Sequence, residues 1–293
     1  MTLDDQMARL SVSQPLILDA TTEQINTGEA DLFLNGGVTI NTGGLSSSGG
    51  TISALGLSLG EGGTLNIQGG NLKLSAGGTA VSGATLVTSD TTISLAGTFE
   101  VEDTWNSSNT NLSLIADAEL SSAAAIELNT LQTNGFNFIL SSETTDLTIE
   151  DSLIIDSGSN GGIDTGFADL TMNGPVTVSS GGITSSGGTL TFGNNSGSTS
   201  FAQNTGKQLI DSTLVLQTDI NLNYLSLIGA SNVETNFNTL SPSYLMIGTD
   251  GELDLTNLVN SETGIDLAQN SSITHTEGAL ILKYINLDGY SLT

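Results

Sequence analysis

Apolar and polar residues alternate in short runs along most of the chain, and small polar or glycine-rich segments separate the runs. The recurring pattern is apolar, any, apolar, three turn-like residues, apolar, any, apolar. Its starts are Leu32, Ile93, Leu112, Leu147, Leu170 and Leu214. A period of two predicts short strands that bury one face. The Gly-Gly, Asn-Gly and Ser-Gly pairs between them supply the positive φ angles that sharp corners require.

The spacing of these strands indicates a repeat of about 20 residues. Most intervals between the starts are close to multiples of that length, whereas the 35 residues from Leu112 to Leu147 require an irregular coil. A longer internal repeat agrees with it. Residues 31–53 align without gaps with residues 169–191, and 13 of 23 positions are identical at an offset of 138. The apolar alternation stays in register throughout this alignment.

Three strands and three corners in about 20 residues make one turn of a solenoid, and its coils stack because none can bury its inner face alone. We therefore predict an all-β fold, a single parallel β-helix (β-solenoid) of about 14 coils with about 20 residues per coil. Residues 1–28 are predicted to be an N-terminal cap region, and residues 29–293 one continuous rod domain. Within the cap region, residues 2–10 fit either a short capping helix or a frayed terminus.

The charge of the chain is strongly one-sided, with 31 acidic residues against four basic ones and a net charge of −27. Between Lys73 and Lys207 there is no basic residue, but there are 14 acids. This composition disfavours nucleic acid and anionic membranes as partners. Glycans and divalent cations remain candidates, and low pH or calcium is expected to stabilise the rod by reducing repulsion among outward acids. There is no cysteine, so disulfides and thiolate sites are excluded.

One acidic segment is a candidate glycan-binding surface. The flanking apolar residues are predicted to point inward, so Glu100 and Glu102 point outward, and a coil offset of 19 residues places Glu119 beside Glu100. Trp105 lies just beyond and is predicted to stack on a sugar ring. Paired carboxylates also recruit cations, which makes calcium the candidate ion. A solvated acidic face with a corner tryptophan fits the same residues.

The chain offers no convincing catalytic set, so we expect that it is not an enzyme. His275 is the only histidine and shares a strand face with Ile273, which is the position of an ordinary strand residue. Scattered basic residues disfavour a polysaccharide lyase, and paired carboxylates leave a glycoside hydrolase open. These two activities are the enzymatic alternatives.

Two short strings carry a resemblance to a known group of proteins. Gly-Gly-Thr-Leu-Asn-Ile, ending at Ile67, and Gly-Gly-Thr-Leu-Thr-Phe, ending at Phe192, lie in coils rich in Ser, Asn and Gly. They resemble bacterial secreted surface β-solenoids, namely autotransporter passengers and filamentous-haemagglutinin-type adhesins. The resemblance covers most of the chain and implies secretion and adhesion.

The expected function is therefore that of a non-enzymatic extracellular structural or adhesive module of a bacterial surface protein or appendage. The expected partners are a host or neighbour-cell surface, a glycan, or further copies joined end to end. The alternative is a glycan-binding or glycan-cleaving β-helix that uses surface carboxylates and Trp105.

Overall fold

The computed structural model describes residues 2, 9–157, 162–193, 200–201, 208–210, 213–217, 220–229, 232–234, 236, 239–249, 252–254, 263–267, 272–274 and 281–292. In these ranges the regular structure is entirely β, and no residue is helical. A helix long and apolar enough to cross a membrane is accordingly not found among them. The strands pair in parallel and stack as a β-solenoid of about 11 turns with about 20 residues per turn. The predicted fold class and period are confirmed, and the predicted count of about 14 coils is close.

The chain divides into two compact units, Met1–Thr148 and Ile149–Thr293. The strands of the first unit are β1 (Arg9–Val12), β2 (Leu16–Leu18), β3 (Gln24–Asn26), β4 (Asp31–Leu34), β5 (Val38–Ile40), β6 (Gly43–Ser47), β7 (Thr51–Ala54), β8 (Leu57–Leu59), β9 (Gly63–Gln68), β10 (Asn71–Leu74), β11 (Gly78–Ala80), β12 (Thr85–Ser89), β13 (Thr92–Val101), β14 (Trp105–Asn106), β15 (Asn111–Ser122), β16 (Ile126–Gln132) and β17 (Phe138–Leu140).

These strands form three stacked rows in the first unit. The first row includes β1, β4, β7 and β10, the second includes β2, β5, β8 and β11, and β13 and β15 contribute to both because each runs through a corner. The third row is β3, β6, β9, β12 and β14. One coil therefore contains one strand from each row.

The core of the first unit consists of columns of inward side chains. Leu72 pairs with Ile52 on one side and with Ile93 on the other, so stacked residues lie about 20 positions apart in the sequence. Because side chains alternate across a strand, Lys73 beside this column points outward and is exposed. The column as a whole is at most 1 % exposed and consists of Leu32, Ile52, Leu72, Ile93, Leu112 and Leu131.

The second unit is built from the same kind of coil. Its strands, the first of which begins just before Ile149, are β18 (Asp146–Asp156), β19 (Gly162–Asp164), β20 (Asp169–Met172), β21 (Val176–Ser180), β22 (Gly182–Ser185), β23 (Thr189–Phe192), β24 (Ser200–Phe201), β25 (Gln208–Ile210), β26 (Thr213–Leu216), β27 (Ile220–Gly229), β28 (Asn232–Glu234), β29 (Leu240–Thr249), β30 (Glu252–Asp254), β31 (Gly264–Leu267), β32 (Ser272–Thr274) and β33 (Tyr284–Asn286). Leu190 is stacked between Leu170 and Leu214, and all three are buried.

The internal sequence repeat is also a structural repeat. Strands β4 and β20 start at the aligned residues Asp31 and Asp169. The backbone N–H of Thr51 donates to Asp31 Oδ1 (2.8 Å), and that of Thr189 donates to Asp169 Oδ1 (2.7 Å). The same side chain therefore makes the same contact with the next coil at both places.

The glycines of the repeat are required by their corners, as the sequence predicts. Gly50 and its counterpart Gly188 both have φ +71°. A Cβ atom would lie 2.5 Å from the carbonyl oxygen of Glu29 at Gly50, and 2.6 Å from that of Ala168 at Gly188. Any other residue would thus combine a strained backbone with a steric clash.

Part of the predicted cap region is built like the rest of the first unit. Residues 9–28 contain β1, β2 and β3, each of which pairs with a strand of the next coil. The possible capping helix falls mostly on residues 3–8, which lie outside the described residues. The boundary between the cap and a single rod domain therefore stays a prediction.

Candidate functional site

The outward orientation predicted for Glu100 and Glu102 is correct. Both flank Val101, which is 2 % exposed and faces the core. Glu100 is half-buried and Glu102 is exposed. Their carboxylates therefore lie on the outer surface of the second row.

The predicted pairing of Glu100 with Glu119 is wrong. Strands β13 and β15 pair with an offset of 19 residues as far as Leu95 and Leu114, and the register then shifts, so that Gly97 is opposite Ala118. Beyond this bulge Glu119 is opposite Thr98, whose hydroxyl donates to the Glu119 carboxylate (3.3 Å). The partner of Glu100 is Ser121. Two extra residues in the second coil thus separate the carboxylates without changing which face they occupy.

The predicted role of Trp105 as a sugar platform is also wrong, because its side chain is only 5 % exposed. The indole packs edge-to-face on Phe99, with 5.5 Å between ring centroids and an interplanar angle of 89°. Its Nε1–H donates to the hydroxyl of Thr88 (2.8 Å), which is itself fully buried. A buried tryptophan with its one donor satisfied is a core residue.

The third row explains why Trp105 points inward. Trp105 pairs with Leu86, which pairs with Leu65, which pairs with Leu45, and all four are buried. This spacing of about 20 residues is visible in the sequence, but the two-strand pattern follows only the first and second rows. Tracking the third row would have placed Trp105 in the core.

The acidic corner after β13 binds the preceding coil. The N–H of Ser82 donates to Glu102 Oε2 (3.0 Å), and the N–H of Gly83 lies 3.4 Å from Asp103 Oδ2. Hydrogen bonds from the N–H groups of Gly83 and then Thr104 hold the pKa of Asp103 below its ordinary value. These carboxylates therefore act first as acceptors for backbone groups.

Carboxylates contact a neighbouring coil at many other described positions. Asp117 accepts from the N–H of Asn137 (2.8 Å), as Asp31 and Asp169 do from their own partners. In other coils the donor is an asparagine side chain. These contacts are Asn41 to Asp19 (2.6 Å), Asn109 to Asp90 (3.1 Å) and Asn173 to Glu150 (3.0 Å). We call all these contacts the inter-coil carboxylate bonds.

A corner motif accompanies the carboxylate bonds of the repeat. Asn26 Oδ1 accepts from the N–H of Gly28 (2.9 Å), and Asp164 Oδ1 accepts from that of Gly166 (3.0 Å). Thr27 between them is fully buried and donates its hydroxyl to the carbonyl of Ser46 (3.2 Å). The sequence signal was present, since residues 26–31 and 164–169 continue the 138-residue repeat in the N-terminal direction.

No group of three or more potential metal ligands comes together among the described residues. His275 lies outside them, so its predicted position as an ordinary strand residue stays a prediction. The glutamates of the predicted surface are likewise too dispersed to form one site with Trp105. Calcium binding there thus has no assembled ligand set in the described part of the chain.

A different aromatic side chain is exposed at a corner of the second unit. Phe167 is 68 % exposed, and a Cβ atom at Gly187 would lie 2.5 Å from its ring, so the ring lies directly over that glycine. Asp164 and Asp169 flank it and are exposed. An aromatic ring beside carboxylates is the arrangement that was predicted around Trp105.

Taken with the fold, these contacts define a protein class, that of a parallel β-solenoid whose described corner carboxylates bind neighbouring coils. Comparison with protein-family models, with curated proteins and with solved structures finds no match.

Proposed function

We propose that this chain is a non-enzymatic structural or adhesive module that works outside the cell, as part of a bacterial surface protein or appendage. The observation that carries the proposal is the set of inter-coil carboxylate bonds. The acids are the most abundant reactive groups of the chain, and many of those described accept hydrogen bonds from backbone or asparagine donors one coil away. Side chains used in this way favour a load-bearing repeat over a catalytic surface.

The resemblance to autotransporter passengers and filamentous-haemagglutinin-type adhesins supports the same proposal. In such a protein the outer surface of a repeat scaffold meets a cell or matrix surface. The exposed hydroxyl and amide groups of the outer faces suit neutral partners such as glycans better than nucleic acid or anionic lipid, because the chain has only four cationic side chains.

The test is a comparison of binding with turnover. Labelled protein is applied to bacterial and host cells and to a panel of polysaccharides, while released reducing ends and unsaturated uronates are measured. We expect saturable binding to a surface and no polysaccharide product. Catalytic turnover of any polysaccharide in the panel would overturn the proposal in favour of a glycan-cleaving β-helix.

A glycan-binding β-helix is the second candidate, and Phe167 is the observation that favours it. An exposed ring lying over a glycine and flanked by carboxylates suits stacking on a sugar. If this candidate is right, Phe167→Ala abolishes glycan binding and leaves the melting temperature unchanged. Ile139→Ala is the matched control, because Ile139 is an exposed apolar residue elsewhere (45 %). Equal binding by both variants would reject Phe167 as the platform.

A further inference from the structure

Exposed apolar side chains concentrate in one short segment of the second unit, residues 281–290, which we call the terminal face. Nine large apolar side chains are exposed in the described part of the chain, and five of them lie within this segment. They are Ile281 (62 %), Tyr284 (43 %), Ile285 (43 %), Leu287 (43 %) and Tyr290 (40 %). A contiguous apolar patch of this kind marks an interaction surface more often than scattered exposed residues do.

The geometry of β33 explains why these residues are exposed. β33 pairs in parallel with β31, and Ile285 is stacked on Ile265, which is stacked on Leu245. Ile265 and Leu245 are fully buried, whereas Ile285 is 43 % exposed because no described strand pairs with the other side of β33. The terminal face thus presents a strand edge and the last member of a core column, which is what one coil presents to the next.

The first coil presents an equivalent surface, formed by β1 and β2, which we call the initial face. Each strand has one described neighbour, β4 or β5. Leu10 and Leu16 are half-buried, but the residues stacked on them, Leu32 and Val38, are 0 % and 3 % exposed. Like Ile285, Leu10 and Leu16 are end members of core columns that lack a described cover.

The distribution of charge favours contact through these two faces. Residues 74–206 contain 14 acids and no base, so side-by-side contact between copies is opposed by repulsion. Residues 9–18 contain Arg9 and no acid, and residues 281–290 contain one base, Lys283, and one acid, Asp288. The initial face is thus weakly positive and the terminal face neutral, in a chain with a net charge of −27.

We propose that the terminal face of one copy binds the initial face of a second copy of this chain, so that copies join head to tail. Stacking would cover Ile285 and Leu16 with apolar side chains and pair exposed strand edges, as coils do within the chain. A head-to-tail contact uses two different surfaces and does not close on itself in a pair, so it produces open chains of increasing length. The inference is independent of what the outer surface binds.

The first experiment is sedimentation velocity on the full chain over a range of protein concentrations. We expect the average mass to rise above the 29.9 kDa of one copy with concentration, and to rise further in high salt, which screens the acids. Ile285→Asp is expected to stay at one copy. Ile139→Asp is the matched control, since Ile139 is equally exposed (45 %) but belongs to neither face, and it should assemble like the original protein.

A mixing experiment separates head-to-tail contact from a symmetric pair. Leu16→Asp disables the initial face only, and Arg9→Glu serves as a second variant if Leu16→Asp lowers the melting temperature. Each single variant should remain a single copy, while a mixture of Ile285→Asp with Leu16→Asp should form one-to-one pairs, because one intact face of each kind remains.

Three results would overturn the inference: original protein that stays at 29.9 kDa at every concentration, Ile285→Asp that still assembles, or initial-face variants that assemble like the original. The last result would indicate a symmetric contact between two terminal faces. A protein that binds cells but remains a single copy would overturn this inference and leave the proposed function intact.

Discussion

Replacing Val176 by aspartate tests the register of the second unit. Val176 begins β21, is fully buried, and is stacked on Leu153 of the preceding coil. The next residue, Thr177, is exposed. The internal repeat matches Val176 to Val38, which is 3 % exposed and stacked between Leu16 and Leu57. The two neighbouring positions therefore have opposite surroundings on the same strand.

The expected cost of Val176→Asp has two parts. Loss of the buried valine side chain costs about 2 kcal/mol. A carboxyl group without a partner in the core is forced to stay neutral, and holding it protonated at pH 7 costs about 4 kcal/mol, because each pKa unit is worth about 1.4 kcal/mol. The sum is on the order of 5 kcal/mol. Thr177→Asp should cost under about 1 kcal/mol, since the new carboxylate stays in water.

Thermal and urea melts of the two variants measure this difference, and hydrogen exchange shows whether the coils around β21 open locally, as repeat arrays can. Val176→Asn is the matched control, because it changes shape similarly without a titratable group. The cost of Val176→Asp should shrink towards that of Val176→Asn near pH 4, where the free acid loses its charge. If Thr177→Asp proves more damaging than Val176→Asp, the assigned register of β21 is wrong.

Three further predictions follow from the described contacts. Asp169→Ala should cost about 1 kcal/mol and speed hydrogen exchange at the N–H of Thr189, and unchanged exchange there would refute the inter-coil bond. Trp105→Phe should cost about 2 kcal/mol by removing the donor to Thr88, and the fluorescence of Trp105, the only tryptophan, should resist quenching by acrylamide and ignore added sugars; strong quenching would place the ring outside. Melts at falling pH should show stability rising as carboxylate repulsion falls near about pH 4. Stability should then decline, because the depressed pKa of Asp103 gives a contribution that is present above the ordinary carboxyl pKa and lost as pH falls through the depressed one. A continuous rise in stability to the lowest pH would contradict a stabilising role for that carboxylate.

The sequence by itself determines the kind of fold and which face of a strand is buried. Alternation with a period of two is a local property, and it places Val101 inside and Glu100 outside whatever lies above or below them. Corner glycines are also local, because a positive φ angle is a property of one residue, as at Gly50. The 138-residue repeat likewise predicts identical contacts at Asp31 and Asp169, since the same coil is built twice.

Only the tertiary structure decides which residues of different coils meet. A two-residue bulge between Leu95 and Gly97 leaves the alternation intact, yet it moves Glu119 from Glu100 to Thr98. Trp105 is buried because it is stacked on Leu86 in the third row, a relation that the pattern of the first two rows does not contain. Stacking joins residues about 20 positions apart, so small changes in coil length redirect every later contact. Alternation within a strand therefore predicts burial but does not predict partners.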